Sequence, residues 1–549
     1  MAPTTSGSAI TGHHEISYGP PGYKGLIKEP YILALACFAS IGGLLFGILY
    51  ARVFPTLANS PTLQGWMVSV LTLGAMFGAF INGPICDRFS RRWSLLYANI
   101  VFLIGSVIQC AAQNIAMIFV GRFFAGLAIC ILSMVVPLYL SELAPPNIRG
   151  SLVAMQQLGI TVGIMVAFWL EYGTQYIGGT GYGQKQISWR LPLALQCFPS
   201  LVLAIGRDDE AFQTLIRLRR VDASDYRLRM ETLEIRAARM FDQETIAAKY
   251  NGLTPFQVAV REYIELFTVT HLRKRTVIAC LLQVIQQFTG IISDAIIYYA
   301  PQIFTAIGLS GNSVNLLATG VIGIINFCST IPAIMFLDRW GRRNVLMIGA
   351  SGMAISQLIV GTLYAVYQHS WYEHTAAGWA ACVFVWIYIS NFAFSIGCVN
   401  WIMPSEMFPP ATRGKAVGVA IAANWLTNFI VALITPRMLK SITFGTFYFF
   451  LVFCIILLVW VKYWVPETKG NSAVLLDCFS LSWLTLILQL GVPIEEMDKI
   501  FGGNAGEADL QRIASIRNRL GLGQECDFAK EEQEEKEGTA FIENLKEHN

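Results

Sequence analysis

Asp87-Arg-Phe-Ser-Arg-Arg92 returns later in the chain as Asp338-Arg-Trp-Gly-Arg-Arg343, and Ser141-Glu-Leu-Ala-Pro-Pro-Asn-Ile-Arg-Gly150 returns as Ser405-Glu-Met-Phe-Pro-Pro-Ala-Thr-Arg-Gly414. The first pair of motifs follows the second and eighth in a series of long apolar runs. The other pair follows the fourth and tenth. Each motif therefore recurs six runs later in the same direction. One chance match would mean little, but two in register are the mark of two parallel halves related by an axis along a membrane normal.

The runs themselves fit that reading. A helix needs about 20 mostly apolar residues to cross a hydrocarbon core of about 30 Å. Such runs cover residues 31–50, 65–85, 93–112, 115–139, 152–172 and 191–206, then 277–299, 314–337, 345–367, 378–403, 416–436 and 444–465. Backbone groups in lipid must be satisfied within the segment, which makes each run a helix. The expected fold class is an all-α membrane protein with twelve transmembrane helices, in two six-helix halves around a central cavity.

Composition agrees. Of 549 residues, 54% are hydrophobic and 14% charged, against roughly 25% charged in a soluble domain, and the mean hydropathy is +0.52. A net charge of +3 points to no nucleic acid and no acidic partner. Residues 1–30 form a polar, Gly/Pro-rich cytoplasmic tail without the apolar core of a signal peptide, so the first internal span should drive insertion. The halves are 31–206 and 276–470, joined by a charged cytoplasmic linker, 207–275, with short helices such as 226–241. Residues 471–491 form an anomalous apolar insertion, and 492–549 a cytoplasmic C-terminal tail. Basic clusters at Arg88/Arg91/Arg92, Arg273–Arg275 and Arg339/Arg342/Arg343 alternate with loops nearly free of base, placing both termini and the linker in the cytoplasm.

Twelve cysteines show no metal-ligand spacing, and Cys37, Cys110, Cys280 and Cys454 lie inside apolar runs, as buried free thiols do. No nucleophile–base pattern, metal set, cofactor motif or phosphate-cradling loop appears, so the chain is not read as an enzyme. Polar groups within the spans point to an interior path instead. They are Gln156/Gln157, Gln286/Gln287, Asn326, Trp401, Asn424 and Asn428, with Asn424 and Asn428 on one helix face. Amides both donate and accept, and an indole offers an apolar face, so these groups suit a polar, hydroxylated solute. The repeated motifs suggest a latch at the cytoplasmic helix ends. In it Asp87, Glu142, Asp338 and Glu406 accept from Arg91, Arg149, Arg342 and Arg413, with Arg92 and Arg343 beside them, when the inner ends of the halves close.

Across residues 31–503 the chain resembles the sugar-porter branch of the major facilitator superfamily, its fungal members in particular. The residues that carry the resemblance include Gly83-Pro-Ile-Cys-Asp-Arg88, Gly121-Arg122, Pro137-Leu-Tyr-Leu-Ser-Glu142, Trp189-Arg190, Gln286-Gln-Phe-Thr-Gly290, Tyr298-Tyr-Ala-Pro301, Pro404-Ser-Glu406 and Pro466-Glu-Thr-Lys-Gly470. The resemblance implies uptake of a hexose or pentose by alternating access, ancestrally proton-coupled, in a monomer at the plasma membrane. It also implies a sugar site at Gln157, Gln286, Gln287, Asn326, Trp401, Asn424 and Asn428. A proton-independent facilitator, a sugar sensor and an inactive chain are the alternatives.

Four departures from the family pattern qualify this. Phe46-Gly47 runs directly into Ile48-Leu49-Tyr50, without the acid that proton-coupled members carry there, so Arg122 loses its expected partner. The sixth span passes into Arg207-Asp-Asp-Glu210 after about 15 residues, or roughly 22 Å of helix. Two extra residues in Gly290-Ile-Ile-Ser-Asp294 turn Asp294 away from the sugar-binding register by about 200°. The 471–491 insertion separates Pro466-Glu-Thr-Lys-Gly470 from Val492-Pro-Ile-Glu-Glu-Met-Asp498. Skipped coding sequence at the first two departures and a translated intron at the last are one expectation, and genuine differences of this chain the other; sequencing of the transcript decides between them.

Overall fold

The computed structural model describes residues 60–143, 149–174, 187–195, 252–306 and 312–465 (three single positions in the last stretch excepted), with a few isolated residues elsewhere. The first span, the end of the sixth, most of the linker, the 471–491 insertion and both tails lie outside the described residues. So do the side chains of Asp87, Arg91, Arg92, Glu142, Arg149, Asp294 and Asp338.

The described chain is helical throughout. Its helices are α1 (Pro61–Cys110), α2 (Ile115–Leu143), α3 (Arg149–Thr174), α4 (Ile187–Leu195), α5 (Pro255–Thr268), α6 (Thr270–Ala306), α7 (Asn312–Trp340), α8 (Arg342–Tyr367), α9 (Thr375–Phe394), α10 (Ile396–Met407), α11 (Pro410–Ser441) and α12 (Gly445–Trp464). These labels count helices, not spans. Among the described residues nine stretches are long and apolar enough to cross a membrane, and Trp66, Phe80, Ile104, Ile355, Val366 and Val452 are large apolar side chains left exposed on them. Such an outer surface suits lipid, because burial against lipid replaces burial in a protein core.

Helix α1 holds two spans. Fifty residues in a straight helix would reach about 75 Å, yet both ends of α1 pack on the same part of α2. A Cβ on Gly126 of α2 would overlap the Leu71 carbonyl oxygen, and a Cβ on Gly105 would lie 2.7 Å from Ala125 N. The stretches 65–83 and 93–110 therefore run side by side, with the chain reversing between them. Absent side chains at these glycines let backbones touch, the usual way helices pack in lipid.

Helices from the two sequence halves meet along two seams, α1 against α11 and α3 against α7. In the first, a Cβ on Gly65 would sit 2.9 Å from Leu433 O, and Arg437 donates to Thr62 Oγ1 at 3.0 Å. Ala75, Ala79, Cys130, Met134, Val417, Ile421 and Ala422 continue it as a dry core. In the second, a Cβ on Gly323 would sit 2.8 Å from Met165 Cα.

Two local breaks shape the site. Gly341 takes φ 81° between α7 and α8, a left-handed turn that glycine adopts without strain. The single run expected over 378–403 is divided at Ser395 (φ −116°, ψ −94°) into α9 and α10. Ser395 Oγ donates to Asn391 O at 2.7 Å, giving the chain a local alternative to the helical ladder. Gly349 of α8 lies so close that a Cβ there would collide with that hydroxyl. Helix α6 begins at Thr270, inside the stretch that the sequence assigns to the linker. The linker helix α5 opens with a capping box between Thr254 and Gln257 and packs on α6 and α11.

Candidate functional site

Gln283, Gln286 and Gln287 of α6 stand three and four residues apart, so they share one helix face. Facing them are Asn400 of α10 and Asn424 and Asn428 of α11, and all six side chains are buried. They form one network. Asn424 Nδ2 donates to Gln283 Oε1 at 2.7 Å and to Gln286 Oε1 at 2.8 Å. Asn400 Nδ2 donates to the same two oxygens. Gln283 Nε2 donates to the Asn400 carbonyl at 2.9 Å. Gln287 Nε2 donates to Asn424 Oδ1 at 3.0 Å, and Asn428 Nδ2 donates to Gln287 Oε1 at 3.2 Å. Buried amides demand such pairing, since a polar group taken from water without a partner costs about 1–3 kcal/mol.

Beside the network a small cleft is lined by Gln283, Asn400, Trp401, Pro404, Ser405, Val417 and Ile421. Trp401 is half-buried there and packs on the α1–α2–α11 core. The first sequence half reaches α10 through Gln157, whose Nε2 would be 3.5 Å from a Cβ on Gly397. Gln156 Nε2 donates to Ser133 O at 3.2 Å. Asn326 of α7 is buried, and its Oδ1 has no hydrogen-bond partner among the described residues.

The structure thus draws Gln286, Gln287, Asn424 and Asn428 into one hydrogen-bonded set with Trp401 at its edge. Gln157 lies on the α3 side of α10, and Asn326 is not part of this hydrogen-bonded set. Asp294 lies beyond the described side chains. Sequence reading missed Gln283 and Asn400. Gln283 was within reach, being one turn before Gln286 on the same face, whereas Asn400 depends on the break at Ser395, which the apolar pattern does not reveal.

Charged groups collect at several helix ends. Arg342 Nη2 donates to Glu406 Oε1 at 2.8 Å with both side chains buried. That pair ties α8 to α10 within the second sequence half. Arg413 Nε donates to Phe408 O at 3.2 Å, Arg275 Nη1 to Met407 O at 3.0 Å, and Arg343 Nη2 to Lys462 O. Arg275 and Arg343 thereby sit on carbonyls at the C-terminal ends of α10 and α12, where the helix dipole favours a cation. Lys415 of α11 meets Glu262 of the linker helix α5 at 2.7 Å, again buried. Deeper in, Arg122 of α2 is buried and donates to the Met67 carbonyl at 2.6 Å, so a backbone oxygen of α1 receives this intramembrane charge.

Chemically the network can exchange hydrogen bonds with a hydroxylated solute and present an indole face beside it. Among the described residues no group of three or more His, Cys, Asp or Glu side chains could hold a metal ion. Lipid-facing helices enclosing a polar cluster define the class: a multi-pass membrane transport protein.

The chain belongs to the sugar (and other) transporter family, whose model matches residues 36–477. It is 32% identical over 453 residues to the galactose-proton symporter of Escherichia coli, covering 79% of this chain and 92% of that one. It is 30% identical over 435 residues to a quinate permease of Emericella nidulans, covering 75% of this chain and 79% of that one. A solved structure of the proton:xylose symporter XylE bound to 6-bromo-6-deoxy-D-glucose superposes with a TM-score of 0.65 at 26% identity. That match covers 86% of this chain and 99% of XylE.

Proposed function

We propose that this protein carries a hexose or pentose across the plasma membrane by alternating access, through twelve spans in two six-helix halves. The buried amide network of α6, α10 and α11 is the observation that supports this reading most. Each of its bonds is one that a sugar hydroxyl can replace, because hydroxyls and amides both donate and accept. The similarity to a galactose-proton symporter and to XylE supports a sugar as cargo and protons as the coupling ion. Arg122, held by the Met67 carbonyl, is the buried charge that a proton-coupled cycle would involve. The buried Arg342–Glu406 pair serves, on this reading, as part of the cytoplasmic latch, with Asp87, Arg91, Arg92, Glu142, Arg149, Asp338, Arg343 and Arg413 as its other members.

Uptake of radiolabelled glucose, xylose and galactose by a transporter-deficient yeast expressing the full chain tests this. Saturable uptake abolished by a protonophore is the expected result. Saturable uptake indifferent to the protonophore would mean a facilitator, and no uptake of any monosaccharide would remove the sugar-carrier reading.

A second reading is favoured by the relationship to quinate permease. Quinate is a polyhydroxylated ring that carries a carboxylate, and its hydroxyls suit the same amides. Competition of sugar uptake by quinate, with labelled quinate uptake measured directly, separates the two.

A further inference from the structure

We propose that Asn400 reads one hydroxyl of the substrate, its Oδ1 accepting from that O–H, and that Gln283 is the positioning residue that aims it. The inference rests on the reading of the chain as a sugar carrier.

The orientation of the Asn400 amide is fixed by its neighbours. Its Nδ2 meets Gln283 Oε1 and Gln286 Oε1, and both oxygens also accept from Asn424 Nδ2. Exchanging nitrogen and oxygen on Asn400 would set one acceptor against two others, so only the observed orientation makes hydrogen bonds. Gln283 completes the arrangement by donating from Nε2 to the Asn400 carbonyl at 2.9 Å. With Nδ2 held toward α6, Oδ1 is the remaining group. Asn400 is fully buried, and this oxygen has no hydrogen-bond partner among the described residues. A buried acceptor without a donor is costly, so the site favours a molecule that brings one.

Asn400 lines the cleft together with Trp401, Gln283 and Ser405. A ring stacked on the indole would present its equatorial hydroxyls edge-on to neighbouring polar groups. An amide oxygen accepts but cannot donate, so it distinguishes a hydroxyl from a hydrogen and equally from fluorine. Gln286, Gln287 and Asn424 offer both functions and are less selective. Asn400 is thus the position from which the site demands a donor.

The test uses D-glucose with its monodeoxy and monodeoxyfluoro analogues as probes, in membrane vesicles from a hexose-transport-deficient yeast expressing the full chain. In the wild type, one ring position should raise KM about tenfold when its hydroxyl is replaced by either hydrogen or fluorine, the size of one buried hydrogen bond. In Asn400→Ala, KM for glucose itself should rise by about that factor, and the penalty at that position should vanish. Gln283→Leu should shrink the same penalty while leaving those at other positions. Asn400→Thr retains an acceptor oxygen and should keep part of the penalty, which guards against a variant that merely fails to fold. An unchanged penalty profile in Asn400→Ala, or an equal loss for every analogue, would overturn the proposal and leave Asn400 as a packing residue. Should the wild type move no monosaccharide at all, the carrier reading falls and this inference with it; sugar uptake with an unchanged profile removes the role of Asn400 alone.

Discussion

Arg342 and Glu406 meet at 2.8 Å with both side chains about 95% buried, joining the start of α8 to the end of α10. The two residues come from the two different repeated motifs of the second half, one from Asp338–Arg343 and the other from Ser405–Gly414. Bringing a guanidinium and a carboxylate out of water costs several kcal/mol, which only a close contact offsets.

Glu406→Gln should therefore destabilise the protein by about 3–5 kcal/mol, since it leaves a buried guanidinium uncompensated at this contact. A melting curve in detergent, followed by intrinsic fluorescence, should show a clear fall in Tm. An unchanged Tm would mean that the ion pair contributes little to the fold.

The Lys415–Glu262 pair at 2.7 Å links the linker helix α5 to α11. Lys415→Glu and Glu262→Lys should each cut uptake severely, because each sets like charges together in a buried place. The double exchange should recover a substantial fraction of activity. Failure of the double variant to exceed either single one argues that the two sites act independently.

Gln287→Ala and Trp401→Ala should each lower sugar uptake by orders of magnitude while surface abundance stays near the wild-type level. Gln287 bridges Asn424 and Asn428, and Trp401 lines the cleft. Confocal localisation of tagged protein beside the uptake assay is the check. A parallel loss of folded protein would assign both residues to packing.

Two glycines should respond oppositely to the same small change. Gly126→Ala drives a methyl group into the α1 backbone at Leu71 and should abolish monodisperse protein on gel filtration. Gly173→Ala, one residue before the end of α3 and with no described atom within 4 Å of the added carbon, should be tolerated with little change in stability. Equal behaviour of the two variants would show that the α1–α2 contact is looser than the structure has it.

Nine of the expected spans are found among the described residues, and they were legible because an apolar run of about 20 residues is dictated by lipid thickness alone, whatever the tertiary packing. Asn424 and Asn428 were legible for a similar reason: a four-residue interval puts two amides on one face regardless of context. What escaped the sequence depends on geometry between helices. Asn400 enters the network only because the chain breaks at Ser395. Glu262 and Lys415 belong to no common motif, and only the packing of α5 on α11 makes them partners. The latch envisaged at the inner helix ends spans both halves, whereas the pair seen, Arg342–Glu406, lies within one. The motifs bring Arg342 and Glu406 to notice without saying that these two touch.

The glycines that bring α1 and α2 into backbone contact leave no soft side-chain layer between them. Such a joint transmits force like a welded bracket, so the leading portion of the molecule should travel as a rigid lever. Spin labels placed on these two helices should hold a constant spacing throughout turnover, with distance changes appearing instead between labels that straddle α1 and α11.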